Sequence, residues 1–339
     1  MRTIGAIPVL ALAAAGVGSE AGAGPGSSAA VSASARQDQP PLVPRIDGPW
    51  WQVAGDPDLG RHTSPKQQPV DFGIWQAADG TWQLWSCIRN TQCGGKTRLF
   101  HRWEGSKLTD PNWRPCGIAM EADPAVGETA GGLQAPFVLA HEGKYLMFYG
   151  DWENICMAVS QDGKSFQRRL RASGKTGMFS EGGNTRDPMV LRAGGVFHCY
   201  YTAHPGQKGA DYCRTSKDLQ TWSDSRIVAR AGSAGDGPYS AECPFVVHLP
   251  QAGRYYLFRT QRYGANAQAS VYCSADPLDF GVVDDRYLAC RLPVAAPEII
   301  LHEGQWYIAA LLPSLKGIQI ARLRWAAPSE PPATKEKAP

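Results

Sequence analysis

Long apolar runs are scarce in this sequence of 339 residues. The one apolar stretch near its start, Ile4 to Val17, is too short to cross a bilayer as a helix. Charge of one sign is also lacking. The 34 Lys and Arg against 31 Asp and Glu leave a formal +3, and the cations are scattered. That balance argues against a nucleic-acid partner held by bulk electrostatics. Helical periodicity is nearly absent, which sets aside helix bundles and alternating α/β folds. No C-x-x-C occurs among the nine Cys, and the Cys and His spacing fits no zinc pattern. No metal or cofactor is therefore expected. What is abundant is aromatic: 11 Trp and 12 Tyr, enough to pack a large β core and to offer faces to sugar rings.

The amino terminus reads as a secretory signal over residues 1–23. Arg2 supplies the charge, a short Ala- and Leu-rich run follows, and Ala21-Gly22-Ala23 offers a cleavage site. No Cys stands near the cut, which argues against a lipid anchor. Residues 24–44, rich in Gly, Ala, Ser and Pro, are expected to form a disordered leader, as are residues 326–339 at the other end. The mature chain is expected outside the cytoplasm, secreted or periplasmic, without membrane insertion. Disulfides are permitted there. Cys199 and Cys213 fall on adjacent predicted strands and are expected to lie close across a hairpin.

A repeat organises the rest. Four segments open alike: Gln134-Ala-Pro-Phe-Val138, Arg186-Asp-Pro-Met-Val190, Glu242-Cys-Pro-Phe-Val246 and Ala295-Ala-Pro-Glu-Ile299. Their prolines are 52, 56 and 53 residues apart. A fifth copy, Val70-Asp-Phe-Gly-Ile74, has Phe72 in the proline slot. Each opening leads through a Gly-containing turn to an aromatic strand. In three copies the unit closes on Ser-x-Asp-x-x-x-aromatic: Ser160/Asp162/Phe166, Ser216/Asp218/Trp222 and Ser274/Asp276/Phe280. The Asp caps the turn, and the ring is expected to pack between units. Short strands inside a repeat of this length predict an all-β, five-bladed β-propeller over residues 45–325, with four-stranded antiparallel blades around a central channel. A β-sandwich or solenoid is the competing architecture, and a sandwich requires no such repeat.

The first strand of each blade lines the channel, so equivalent positions in different blades converge at one mouth. The residues before the proline slot are Asp71, Ala135, Asp187, Cys243 and Ala296, and Glu242 stands one position earlier in blade four. Glycoside cleavage needs two carboxyl groups flanking the bond, one an acid and the other a nucleophile or base. Asp71, Asp187 and Glu242 supply that pair and a third that tunes it. Each also has a structural reading: Asp before Pro commonly starts a turn, Asp71 could cap a strand, and Glu242 could be a solvated loop residue.

Arg186-Asp187-Pro188 and Glu242-Cys243-Pro244 resemble the RDP and EC motifs of glycoside hydrolase family 32, the invertases, inulinases and levanases. The arrangement is also similar to that of family 43, the arabinanases and xylosidases. Both families are five-bladed propellers, and the resemblance spans residues 70–325. The first motif departs: Val70-Asp71-Phe72-Gly73 stands where family 32 has Asn-Asp-Pro-Asn-Gly. The resemblance implies that Glu242 is the general acid, Asp71 the nucleophile or base, and Asp187 the transition-state stabiliser. Arg186 would bind the sugar or pair with an acid. Trp75, Gln76, Gln134, Asp151, Trp152 and Tyr239 are the candidate substrate-binding residues. The expected partner is an oligo- or polysaccharide, a β-fructoside or an arabinoside or xyloside. A Glu242 to Asp71 separation of roughly 5–5.5 Å would mean retention and roughly 6.5–9.5 Å inversion, with the RDP and ECP phrases favouring retention. The alternative from another class is a non-catalytic carbohydrate-binding propeller on the same scaffold.

Overall fold

A computed structural model describes residues 40–329. The expected signal and most of the leader lie outside the described residues, as does the tail from residue 330. The described part is a ring of five four-stranded antiparallel sheets, a β-propeller. Blade one runs Gln68–Gln76, Trp82–Arg89, Leu99–Gly105 and Arg114–Met120. Blade two begins with Gln134–His141, blade three with Arg186–Ala193 and blade four with Glu242–Leu249. The only helical elements among the described residues are five three-residue 3-10 turns. None of these is long and apolar enough to cross a membrane.

Blade five is assembled from both ends of the chain. Glu298–His302, Gln305–Leu311 and Gly317–Ala326 supply three strands, and Val43–Gly55 adds the outermost. Trp51 pairs with Ile320 in that ladder, and its ring meets Tyr307 edge-on at 6.2 Å. Ordered strand thus begins at Val43, inside the segment expected to be leader, because the ring closes only when an early strand completes the last blade.

The Ser-x-Asp turns hold the blades together. Asp162 Oδ1 accepts from the backbone N–H of Lys164 and Ser165, and Asp218 Oδ1 from those of Gln220 and Thr221. Each turn delivers its ring onto the blade before it: Phe166 against Trp85 at 5.3 Å, Trp222 against Phe148 at 6.2 Å, Phe280 against Tyr200 at 6.3 Å. Phe280 is fully buried, which contributes ~2 kcal/mol from its apolar area alone.

The inner strands share one local distortion. Asp71, Ala135, Asp187, Cys243 and Ala296 have φ of 38°, 44°, 57°, 49° and 48°. In four blades the strand register slips at this residue. An L residue there costs ~1–2 kcal/mol, which the surrounding ladder must offset. At Gly73 the first two inner strands approach so closely that a Cβ would lie 2.3 Å from the Pro136 carbonyl oxygen.

All nine cysteines are free thiols. Cys199 and Cys213 do lie on adjacent strands, but Cys199 is opposite Arg214 while Cys213 is opposite Tyr200. Side chains alternate faces along a strand, so the two thiols point to opposite faces of the blade. Cys199 belongs to the core cluster that holds Phe148 and Tyr201, and Cys213 to the one that holds Tyr200 and Phe258. The sequence expectation placed them on the right strands and overlooked this alternation.

Candidate active site

The bulge aims carboxylates at the channel mouth. At Asp71 and Asp187 the left-handed residue carries the acid itself; in blade four the acid is the preceding residue, Glu242. Asp71 and Asp187 each have an oxygen within 4.8 Å of the other and of Cys243 Sγ. Arg186, on the inner strand of blade three, joins the remaining pair. Its Nη2 donates to Glu242 Oε1 at 2.7 Å and its Nε lies 3.6 Å from Asp187 Oδ2. Asp187 Oδ2 also accepts the Cys243 backbone N–H at 3.0 Å, a bond between blades three and four. The Cys243 thiol donates to Asp71 Oδ1 at 3.2 Å and meets the Tyr263 hydroxyl at 3.3 Å. Arg98 Nη1 is 3.9 Å from Asp71 Oδ2.

Three acids gathered at one mouth, two of them buried, cannot all ionise freely. Burial first, and the Asp71 charge second, push the Asp187 carboxyl up to about 7. Burial likewise raises Glu242; the Arg186 charge opposes this without cancelling it, and Asp71 adds to the rise. Burial alone would depress the Arg186 guanidinium, but the Glu242 and Asp187 charges outweigh it, so Arg186 stays protonated. Its Nη1 lies 3.2 Å from His204 Nδ1. An arginine can only donate, so Nδ1 accepts and the His204 proton is on Nε2. That agrees with the lowered His204 pKa, caused by burial and then by the Arg186 charge.

These groups open into a cavity of about 580 Å³ at the channel mouth. Its wall takes Asp71, Arg89 and Arg98 from blade one, Gln134 and Trp152 from blade two, Arg186 and His204 from blade three, and Glu242 and Tyr263 from blade four. Tyr239, 64% exposed, overhangs it from the loop before Glu242 and meets His204 edge-on at 6.0 Å. A buried arginine fixes that loop. Arg259 donates to the carbonyls of Ser240, Ala231 and Gly235 and pairs with Asp211 at 3.8 Å. Asp187 faces the narrow channel below the cavity.

Of the candidate substrate-binding residues, Arg186, Gln134, Trp152 and Tyr239 line the cavity. Trp75, Gln76 and Asp151 do not. Trp75 and Gln76 stand four and five residues beyond Asp71, ~13 Å or more along the strand at its usual rise. Trp75 is buried, with its indole N–H on the Gly163 carbonyl and its ring on Phe166. Gln76 is exposed and bonds the Gly80 carbonyl of its own hairpin. Asp151 is fully buried and caps a turn, accepting from the Glu153 and Asn154 backbone N–H groups. It shapes the loop that presents Trp152.

Sequence reasoning missed Arg89, Arg98, His204 and Tyr263. A signal was present for three of them. The second strand of each blade runs back toward the mouth, so its last residue returns beside the start of the first. Arg89 ends one such strand, and His204 and Tyr263 directly follow two others. Arg98, which precedes the third strand of blade one, has no such marker.

One group of described residues could surround a cation: Asp71, Asp187 and Cys243. Two guanidinium groups already stand beside its carboxylates, at 3.6 Å and 3.9 Å. The Cys243 thiol already donates to Asp71 Oδ1. The donor set therefore fits a resident metal poorly.

No protein-family model and no curated protein matches this sequence. Solved structures do match in fold. A thermostable family-43 glycoside hydrolase superposes with a TM-score of 0.58 at 16% identity, covering 82% of this chain and 97% of that one. An endo-arabinase from Bacteroides thetaiotaomicron gives 0.59 at 15% identity, over 78% and 97%. A family-32 β-fructofuranosidase from Bombyx mori gives 0.58 at 15% identity, over 81% of this chain and 62% of that one. The chain thus shares its five-bladed fold with propeller glycoside hydrolases of families 43 and 32.

Proposed function

We propose that this protein is an exported glycoside hydrolase. The observation that carries the proposal is the convergence of Asp71, Asp187 and Glu242, from three blades, at the mouth of a cavity large enough for sugar rings, with Arg186 joining the last two and Asp71 beside Asp187. The neighbours' fold supports it, as does the leader-like amino terminus.

In this reading Glu242 donates the proton to the leaving oxygen. Its Oε1 is occupied by the Arg186 N–H, which leaves Oε2 to hold the proton that burial favours. Asp71 attacks the anomeric carbon or activates water. The Cys243 thiol on Oδ1 holds its orientation. Asp187, held by the Cys243 N–H and Arg186, faces the developing positive charge of the ring or binds its hydroxyls. Tyr239 offers a face to a second sugar.

The test is a hydrolysis screen on fructans, arabinans and xylans with purified wild type and Glu242→Gln. Loss of the general acid lowers kcat by about 10²–10⁴ fold. Proton NMR of the first-formed anomer reads retention or inversion. A wild type that turns nothing over, beside an Asp71→Asn variant that still binds sugar, would instead mean a carbohydrate-binding propeller.

A further inference from the structure

The hairpin from Arg89 to Arg98 in blade one contributes three cations, Arg89, Lys96 and Arg98, and contains no Asp or Glu. Arg89 and Arg98 line the cavity. Their partners are weak for groups of their charge. Arg89 Nε donates to the neutral Gln68 Oε1 at 2.9 Å, and among the described residues no carboxylate is in ion-pair contact with it. Arg98 has one carboxylate, Asp71, at 3.9 Å, and lies 5.2 Å from the centre of the Trp152 ring. Lys96 Nζ is 4.8 Å from the same ring. Arg186, by contrast, is fully engaged by Glu242 and Asp187.

The wall carries as many acids as arginines, but none of the acids pairs with Arg89. The acids on the cavity wall are Asp71, Glu242 and the exposed Glu153. Burial favours the neutral form of Glu242, and also that of Asp187 below. A neutral sugar needs only hydroxyl partners, which Gln134, His204 and Tyr263 already offer. A guanidinium with free N–H groups fits a planar or tetrahedral oxyanion, which it can grip with two parallel bonds.

We infer that the cavity takes a saccharide bearing an anionic substituent, a carboxylate or a sulfate ester, seated against Arg89 and Arg98. This rests on the glycoside reading of the site. The charge preference is measured by binding, so that it can be judged apart from turnover.

The experiment is calorimetric titration of wild type with methyl glucuronoside, methyl galactoside 6-sulfate and their uncharged parents, methyl glucoside and methyl galactoside. At least one acidic sugar is expected to bind about tenfold tighter than its parent. The preference should shrink as salt rises from about 20 to about 200 mM. Arg89→Gln should abolish most of it while leaving the thermal midpoint in place. The two acidic arms separate carboxylate from sulfate. Uncharged sugars binding as tightly as both acidic ones would overturn the inference. So would an Arg89→Gln protein that keeps the full preference. A preference for acidic sugars with no turnover of any glycoside would uphold the inference and sink the hydrolase reading.

Discussion

Arg186 is the single group whose removal most directly tests the electrostatics of the site. Its guanidinium contacts Glu242 at 2.7 Å and Asp187 at 3.6 Å, and its side chain is 3% exposed. Arg186→Met keeps most of the apolar stem and deletes the charge. Both acids would then have to be neutral in the folded chain, although they ionise in the unfolded one. With an unfolded glutamic acid near pH 4.3, keeping Glu242 protonated costs about 1.4 kcal/mol per pH unit above that value. The ceiling is about 4 kcal/mol at pH 7 and about 1 kcal/mol at pH 5. Asp187 adds less, because burial already holds it near 7 in the intact protein. The sign follows from raised folded-state pKa values: the favourable contribution is complete below the unfolded pKa and is lost as pH rises through the folded one. Burial already raises Glu242 in the intact protein, so the loss stays below this ceiling: for a chain of this size the melting temperature should fall by at most roughly 8 °C at pH 7 and at most roughly 2 °C at pH 5, with the larger fall at pH 7. Thermal unfolding by circular dichroism at pH 5, 6 and 7 reads this. An equal loss at every pH would mean that Arg186 acts by packing, and the charge argument would fail.

Two further outcomes follow from the fold. Gly73→Ala forces a Cβ to 2.3 Å from the Pro136 carbonyl oxygen, which two inner strands cannot easily relieve; urea unfolding should show a loss of ~2 kcal/mol or more, and a neutral result would mean the blades part freely. Titration of the denatured, unreduced protein with a thiol reagent should count nine thiols; seven or fewer would reveal a bridge that the opposed faces of Cys199 and Cys213 argue against.

Much of the architecture was legible because the inner strands repeat a chemical phrase. Proline is tolerated at the start of such a strand, where its missing N–H leaves no gap in the ladder, and so it recurs in four of five copies. The residues before it were therefore placeable at one mouth from the repeat alone. Closure of blade five was not legible. Val43–Gly55 carries no copy of the phrase, and its partner strand Gly317–Ala326 lies at the far end of the chain. The cavity-lining side chains were half legible for a geometric reason. Residues chosen near Asp71 by sequence, Trp75 and Gln76, run away from the mouth along the strand, whereas Arg89, His204 and Tyr263 return to it on the neighbouring strand. The salt bridge from Arg186 to Glu242 spans 56 residues; the period of the repeat hints at it, but only packing makes it a contact.

The left-handed residue in all five inner strands raises the question of whether its strain serves the chemistry. Strain stored for catalysis should be confined to the blades that carry acids. Ala135 and Ala296 have no functional side chain, yet their φ values of 44° and 48° fall in the same range as those of Asp71 and Asp187. The strain therefore belongs to the blade design, and the acids occupy a position that every blade distorts. Ala296 tests this cleanly. It is buried, and its N–H donates to Thr260 Oγ1 at 2.9 Å, so its backbone is held in place. Ala296→Gly removes a left-handed penalty of ~1–2 kcal/mol but adds ~0.5–1 kcal/mol of backbone entropy and loses a buried methyl worth ~0.8 kcal/mol. The net change should lie within about 1 kcal/mol of zero on those terms. Ala296→Val places a β-branched residue at positive φ, where such residues are outliers, and should cost ~2 kcal/mol or more. Urea midpoints of the two variants measure the difference. If valine were tolerated as well as glycine, the left-handed conformation would not be required of the blade, and the distortion at Asp71 and Asp187 would need an explanation of its own.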